Sequence, residues 1–197
     1  MPKVVDHEER RAELAAAVWR LASSDGLEAV TVRRVAEEAG WSTGAVVHYF
    51  ADKEELLLLA FSTVADRVRT RLAEAAAETT EPLDLVRAWL VEGLPIGRER
   101  QAEVRVWFAF LGLALTRPAF ARAQRLTYRA WRGRVADLLR DAQERGDIRA
   151  DVDPSAAAAA LVAAVDGLAI QATFEPRALS ARRQTELVDL QLDALRG

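Results

Sequence analysis

Glycine and proline cut this chain into helix-length segments, and that punctuation constrains its fold more than any single motif. Gly26 and Gly40 stand just past apolar-periodic stretches, where helices end. Pro82, Pro118, Pro154 and Pro176 stand where a helix can begin or a connection can turn, and Pro95 with Gly97 marks another break. Between these points β-branched runs are short and alternation is not sustained. The spacing predicts nine helices, near 7–24, 32–39, 43–50, 53–80, 83–94, 98–115, 118–145, 154–173 and 178–195. The expected fold class is all-α, with a small head over residues 1–52 and a larger helical body over 53–197.

Composition removes several function classes. The chain has 197 residues and no cysteine, which removes disulfides, thiolate chemistry and most structural zinc sites. The N-terminal stretch MPKVVDHEERRAEL lacks the apolar core of a signal peptide, and no apolar run reaches about 20 uncharged residues. A soluble, cytoplasmic protein is the expectation. The formal net charge is −3. Residues 1–55 carry seven basic and eleven acidic side chains, Lys3 and Asp6 among them, so this segment nets −4. Any nucleic acid it binds must be held by a few placed donors, because a basic surface is missing.

Residues 31–56, TVRRVAEEAGWSTGAVVHYFADKEEL, have the layout of a helix-turn-helix followed by a capped third start. Thr31 can cap a helix whose Val32, Val35, Ala36 and Ala39 form one apolar face, leaving Arg33 and Arg34 outside. Gly40 ends that helix and Ser42 can cap the next. There Val46 and Phe50 point inward, while Thr43, Gly44, Val47 and His48 share the opposite face. Such a helix can enter a major groove with its first turn near base edges. Asp52 and Glu55 form a capping box for the following helix. Lys53 then lies in a first turn, where the macrodipole disfavours a cation by a few tenths of a kcal/mol. A nearby phosphate would explain it; a solvated surface lysine is the plain alternative. Tyr49 could equally pack against a neighbouring helix, and Thr31 and Ser42 cap helices whatever else they do.

These residues resemble the DNA-binding head of the TetR family of transcriptional regulators, on Thr31, Ala36, Ala39, Gly40, Ser42, Gly44, Tyr49, Phe50, Lys53, Glu55 and Leu56. The resemblance implies base-edge approach by Thr43 and Gly44, and base or phosphate contact by His48. It implies phosphate contacts by Thr31, Tyr49 and Lys53, with Arg33 as a further candidate. Two positions depart from the family pattern. Trp41 replaces a smaller apolar residue, and Val47 replaces a tyrosine that contacts the backbone. Val47 has no hydroxyl with which to make that contact and suits a thymine methyl instead.

In the body, the VRVWFAFLGLAL segment is apolar almost all round and should be buried centrally. Aromatics at helical spacing are most often core; with polar neighbours they can also line a pocket for a small organic molecule. The expected lining is Trp89, Arg105, Trp107, Phe108, Leu111, Gln124, Thr127, Tyr128, Trp131 and Gln171. The body is similar to the C-terminal domain of choline-responsive betaine-operon repressors within the same family. That similarity rests on Arg105-Val-Trp107, Tyr128, Trp131-Arg132, Gly146-Asp147-Ile148, Asp153-Pro154 and Asp166-Gly167-Leu168. It implies an effector pocket whose aromatic faces suit a quaternary ammonium. The last two helices carry more apolar surface than one core needs: the eighth has one apolar face, and the ninth has two, with Val188, Leu192 and Leu195 opposite Leu187, Leu190 and Ala194. Leu161, Val165, Leu168, Leu187, Leu190 and Ala194 are the expected dimer face, and a homodimer would bring two heads to a palindromic operator. The arginines at 122, 125, 129 and 132 read as a solvated stripe.

The leading reading is a ligand-responsive, DNA-binding transcriptional repressor with no cofactor and no metal. A different class, catalysis, has little support: His7 and His48 are the two imidazoles, and neither a G-x-S-x-G elbow nor a phosphate-binding glycine loop is present. A helical protein-interaction module with a degenerate head is the remaining alternative.

Overall fold

The computed structural model describes residues 7–196; Lys3 and Asp6, counted in the charge of the head, lie outside the described residues. The described residues hold no strand and nine α-helices: α1 (His7–Asp25), α2 (Val32–Ala39), α3 (Thr43–Tyr49), α4 (Lys53–Glu78), α5 (Pro82–Glu92), α6 (Gly97–Ala114), α7 (Pro118–Arg145), α8 (Pro154–Phe174) and α9 (Ala181–Asp193). One 3-10 turn, Leu27–Ala29, follows α1 and was not foreseen.

The helix ends follow local chemistry. Thr31 accepts from the Arg34 amide at 3.3 Å, and Ser42 from the Ala45 amide at 3.2 Å. Gly40, at φ 71°, closes α2 in the left-handed conformation that glycine adopts without a Cβ penalty. Pro154 opens α8 while Asp153 caps it through the Ser155 amide at 2.8 Å. Ser180 caps α9, so that helix begins three residues later than periodicity alone suggests.

The chain divides into two compact units, residues 1–67 with 105–120, and 68–104 with 121–197. By packing, the first half of α4 therefore belongs with the head, beyond the residue-52 boundary drawn from sequence. In the first unit α1 packs on α2, and α2 on α3. Its core includes Leu14, Val18, Val35, Val46, Phe50, Leu56 and Phe61. Phe61 stacks on Phe110 at 3.8 Å and on Trp107 at 5.2 Å, and Phe110 meets Phe120 at 5.0 Å. Arg67 lies over the Trp19 ring at 4.6 Å.

In the second unit α5, α8 and α9 pack against one another. Val86 and Leu90 of α5, Leu161, Val162 and Val165 of α8, and Val188 and Leu192 of α9 are buried there. Arg87 of α5 holds Asp189 of α9 through two bonds of 2.5 and 3.1 Å. That pairing raises the arginine pKa above its ordinary value.

Two expectations change. Residues Arg105, Ala109 and Gly112 of α6 are exposed and Leu115 is 88 % exposed, so α6 has one buried side rather than an apolar surface buried all round. Leu161, Val165 and Leu168 face the core of their own unit, at 9 % exposure or less, and not a second copy. The apolar residues α8 leaves uncovered are Ile170 and Phe174. By length and composition α8 could cross a membrane, yet Asp166 interrupts its apolar run, in keeping with the expected absence of an uncharged stretch of about 20 residues. Its buried face and its one charge, Asp166, fit a packed core helix.

Candidate DNA-binding head and effector unit

The turn between α2 and α3 is closed by the Trp41 amide, which donates to the Ala36 carbonyl at 2.8 Å. This fixes α3 as a short helix with Val46 buried beneath it. Thr43, Gly44, Val47 and His48 are all exposed on its outer side, as expected. Val47, at 53 % exposure, is the large apolar side chain on that face. A Cβ at Gly44 would meet nothing within 4 Å, so the backbone there is open to close approach.

The flanking residues are held less freely than the sequence implies. The Tyr49 hydroxyl lies 3.2 Å from His7 Nδ1, and its ring packs edge-on against Trp41 and His48. Trp41, the larger residue at this position, thus supports Tyr49, and Arg10 lies 5.4 Å over the Trp41 ring. Arg33 is exposed and pairs with Glu37 at 3.2 Å. Arg34 pairs with Asp25 at 2.5 Å, and this bond holds the Asp25 carboxyl below its usual pKa.

Lys53 requires a correction. Asp52 Oδ1 accepts from the Glu55 amide at 3.0 Å, and Glu55 reaches back to the Ala51 amide at 2.8 Å, so the capping box forms. The Lys53 ammonium, however, lies 3.5 Å from the Glu28 carbonyl, at the limit of a hydrogen bond. An oxygen of the same chain thus already answers the cation, and its position does not by itself demand an external anion.

The ten expected effector residues are divided between the two units. In the first, Trp107 stacks in the aromatic core, Phe108 and Leu111 are half-buried, and Arg105 is exposed. In the second, Trp89 and Thr127 are half-buried, and the Thr127 hydroxyl is spent on the Ala123 carbonyl at 3.1 Å. Gln171 is exposed, so it does not face the interior of its unit. Tyr128 donates to Asp166 Oδ2 at 2.5 Å, joining α7 to α8. Burial pushes the Asp166 carboxyl above its usual pKa, and burial together with Asp166 pushes the Tyr128 phenol up. Sequence reasoning named Asp166 only as part of the resemblance and not as a site residue. Its signal was present: it is the one charge in the 21 residues of α8.

A buried ion cluster was also missed. Arg71 of α4 donates to Glu92 of α5 at 2.6 Å and to both oxygens of Glu103 of α6 at 3.1 and 2.6 Å. Arg100 bonds the other Glu92 oxygen. Burial alone would lower the Arg71 pKa, but its bonds to Glu103 and Glu92 outweigh this and raise it. An open groove of about 400 Å³ in the same unit is rimmed by Arg134, Asp141, Glu144 and Arg145, with charges of both signs. Among the described residues no group of three or more acidic or histidine side chains could hold a metal ion.

A helix-turn-helix with an open outer face and a separate all-α unit is the geometry on which comparison with known proteins decides. Residues 14–60 match the family described as bacterial regulatory proteins, tetR family, and residues 82–197 match that described as BetI-type transcriptional repressor, C-terminal. The chain belongs to the TetR family. This TetR-family regulator is 35 % identical over 177 residues to the HTH-type transcriptional regulator PksA of Bacillus subtilis, covering 89 % of this chain and 84 % of that one. It is 27 % identical to BetI 1 of Chromohalobacter salexigens, over 95 % of this chain and 90 % of the relative. A transcriptional regulator from Rhodococcus sp. RHA1 shares the fold at TM-score 0.81 and 32 % identity, with 94 % and 95 % of the two chains covered. A Saccharomonospora viridis regulator solved in complex with choline superposes at TM-score 0.85 and 22 % identity, covering 95 % and 97 %. The regulator therefore belongs among DNA-binding transcriptional repressors with a BetI-type C-terminal domain, a family of regulators and not of enzymes.

Proposed function

We propose that this regulator represses transcription in the cytoplasm by binding a palindromic operator as a homodimer, and that a small organic effector in its C-terminal domain modulates that binding. The observation that carries the reading is the outer face of α3, where Thr43, Gly44, Val47 and His48 stand exposed beside Tyr49 and Lys53. Thr43, Gly44, Val47 and His48 approach base edges; Thr31, Arg33, Ser42, Tyr49 and Lys53 lie near phosphates. A dimer would use the uncovered side of α9, Leu187, Leu190 and Ala194, with Ile170 and Phe174 of α8. Leu190 is 65 % exposed and Phe174 80 %. The effector is of the kind seen in the choline-bound relative, seated among aromatic faces such as Trp89, Tyr128 and Trp131.

The test is binding of the full chain to its own upstream DNA at stated salt, with choline as the first effector probe. A specific complex on a palindromic site, with two chains per site, is the expected result. Binding that is equal on all sequences sinks the repressor reading. The competing reading, an interaction module with a degenerate head, is favoured by one feature: Arg33, Arg34 and Arg20 of the head are all paired within it to acidic side chains.

A further inference from the structure

In the second unit, α7 places Gln124, Tyr128 and Trp131 on one face, four and three residues apart. Gln124 is 6 % exposed, and both its Nε2 and its Oε1 are buried without a hydrogen-bond partner; so is Trp131 Nε1. The Gln124 amide lies near enough to the Tyr128 hydroxyl to favour the phenolate, yet makes no bond of acceptable geometry with it. Tyr128 has already committed its proton to Asp166.

An unpaired buried amide or indole is a net cost to the fold. The buried carboxylates Glu92 and Glu103 of the same unit are paired, and the amide of Gln184 still donates to the Leu179 carbonyl at 2.8 Å. Gln184 Oε1 is also unpaired, but the other three unpaired buried side-chain atoms among the described residues lie within two turns of α7. The indole packs closely against Gly93, the residue just past α5. Its Cη2 lies 2.9 Å from where a Gly93 Cβ would stand, and Val165 Cγ1 lies 2.7 Å from the same point. A Cβ at Gly93 would collide with the ring and with Val165, so a glycine at the end of α5 makes room for both.

We infer that Gln124 and Trp131 are the polar end of an effector pocket, and that they read a hydroxyl group on a compact organic ligand by hydrogen bonds, with ligand charge secondary. This rests on the C-terminal domain being the effector domain. A hydroxyl accepts from Trp131 Nε1 or Gln124 Nε2 and donates to Gln124 Oε1, so it serves both kinds of unpaired atom. A quaternary ammonium has neither donor nor acceptor and would leave all three unpaired. The local charge is also balanced: Asp166 is held by Tyr128, and the Arg132 guanidinium lies 5.6 Å over the Tyr128 ring.

Calorimetry on the full chain with three probes separates shape, charge and hydroxyl. They are choline, tetramethylammonium, and 3,3-dimethylbutan-1-ol, which is choline with carbon in place of nitrogen. The alcohol should bind within about tenfold of choline, and tetramethylammonium at least about tenfold more weakly than choline. Gln124→Leu and Trp131→Phe should each weaken choline and the alcohol by about tenfold and leave tetramethylammonium unchanged. Both substitutions should also raise the melting temperature of the ligand-free protein, because each removes an unpaired buried group. Equal affinity for choline and tetramethylammonium overturns the inference, as does a lowered melting temperature in both variants. Absence of binding by all three probes at millimolar concentration overturns it too. If the wild-type chain then still binds its operator specifically, only the pocket assignment falls; if it does not, the repressor reading falls separately.

Discussion

The Tyr128 hydroxyl donates to Asp166 across the α7–α8 contact at 2.5 Å, tying the aromatic stripe of one helix to the single charge of the next. The carboxyl sits where burial raises its pKa. A folded-state pKa above the unfolded value means the native state binds the proton more tightly. Stability from this group is therefore full below its ordinary pKa and is lost as pH rises through its raised value.

Asp166→Asn removes that loss while leaving an oxygen to accept from Tyr128. At pH 7 its melting temperature should equal or exceed the wild type's. The difference should shrink as pH falls through the raised pKa toward the ordinary carboxylate range, because the wild type then becomes neutral as well. Melting curves from pH 4 to 8 check this; a variant less stable than wild type at pH 7 contradicts the assignment.

Arg71 is the shared donor of two buried carboxylates, whose side chains are 7 % and 4 % exposed. Arg71→Met removes two bonds from buried Glu103 and one from buried Glu92, and should cost about 3 kcal/mol. Urea denaturation measures it as a lower midpoint at unchanged slope. Glu103→Gln, which keeps an acceptor for Arg71, should cost less.

Val47 is exposed on the outer face of α3. If it packs on a thymine methyl, replacing that thymine by uracil in the operator removes roughly one methyl of burial, about 0.8 kcal/mol, or about fourfold in affinity. Val47→Ala should lose most of the discrimination between the two operators. Fluorescence anisotropy on paired thymine and uracil duplexes decides it; no position sensitive to uracil would remove Val47 from recognition.

Lys53 has an intrachain oxygen at 3.5 Å, so its role at a phosphate has to be shown by salt dependence. Lys53→Ala should weaken specific and non-specific DNA alike, and lower the slope of log affinity against log salt by about one per head. An unchanged slope would leave Lys53 as a surface residue.

Helix order and the capping residues were legible in the chain because periodicity, Pro, Gly and cap side chains act over a few residues. The α2–α3 turn formed as its Thr31, Gly40 and Ser42 required. The 3-10 turn at Leu27–Ala29 was not legible, since no periodicity can register over three residues. The effector side was read only in outline. Aromatic spacing marked Tyr128 and Trp131, but nothing local distinguished Gln124, which is buried, from Gln171, which is exposed. Likewise Leu161, Val165 and Leu168 look on paper like a face for a partner; α5 and α9 cover α8 instead.

The sequence by itself determined an all-α chain, a capped helix-turn-helix and the family it belongs to, because those depend on neighbours one or two turns away. Tertiary structure decided which polar groups find partners: Lys53 a carbonyl, Tyr49 a histidine, Asp166 a phenol, Arg71 two carboxylates, and Gln124 none. Hydrogen bonds and burial join residues tens of positions apart, and only the packed chain sets those distances.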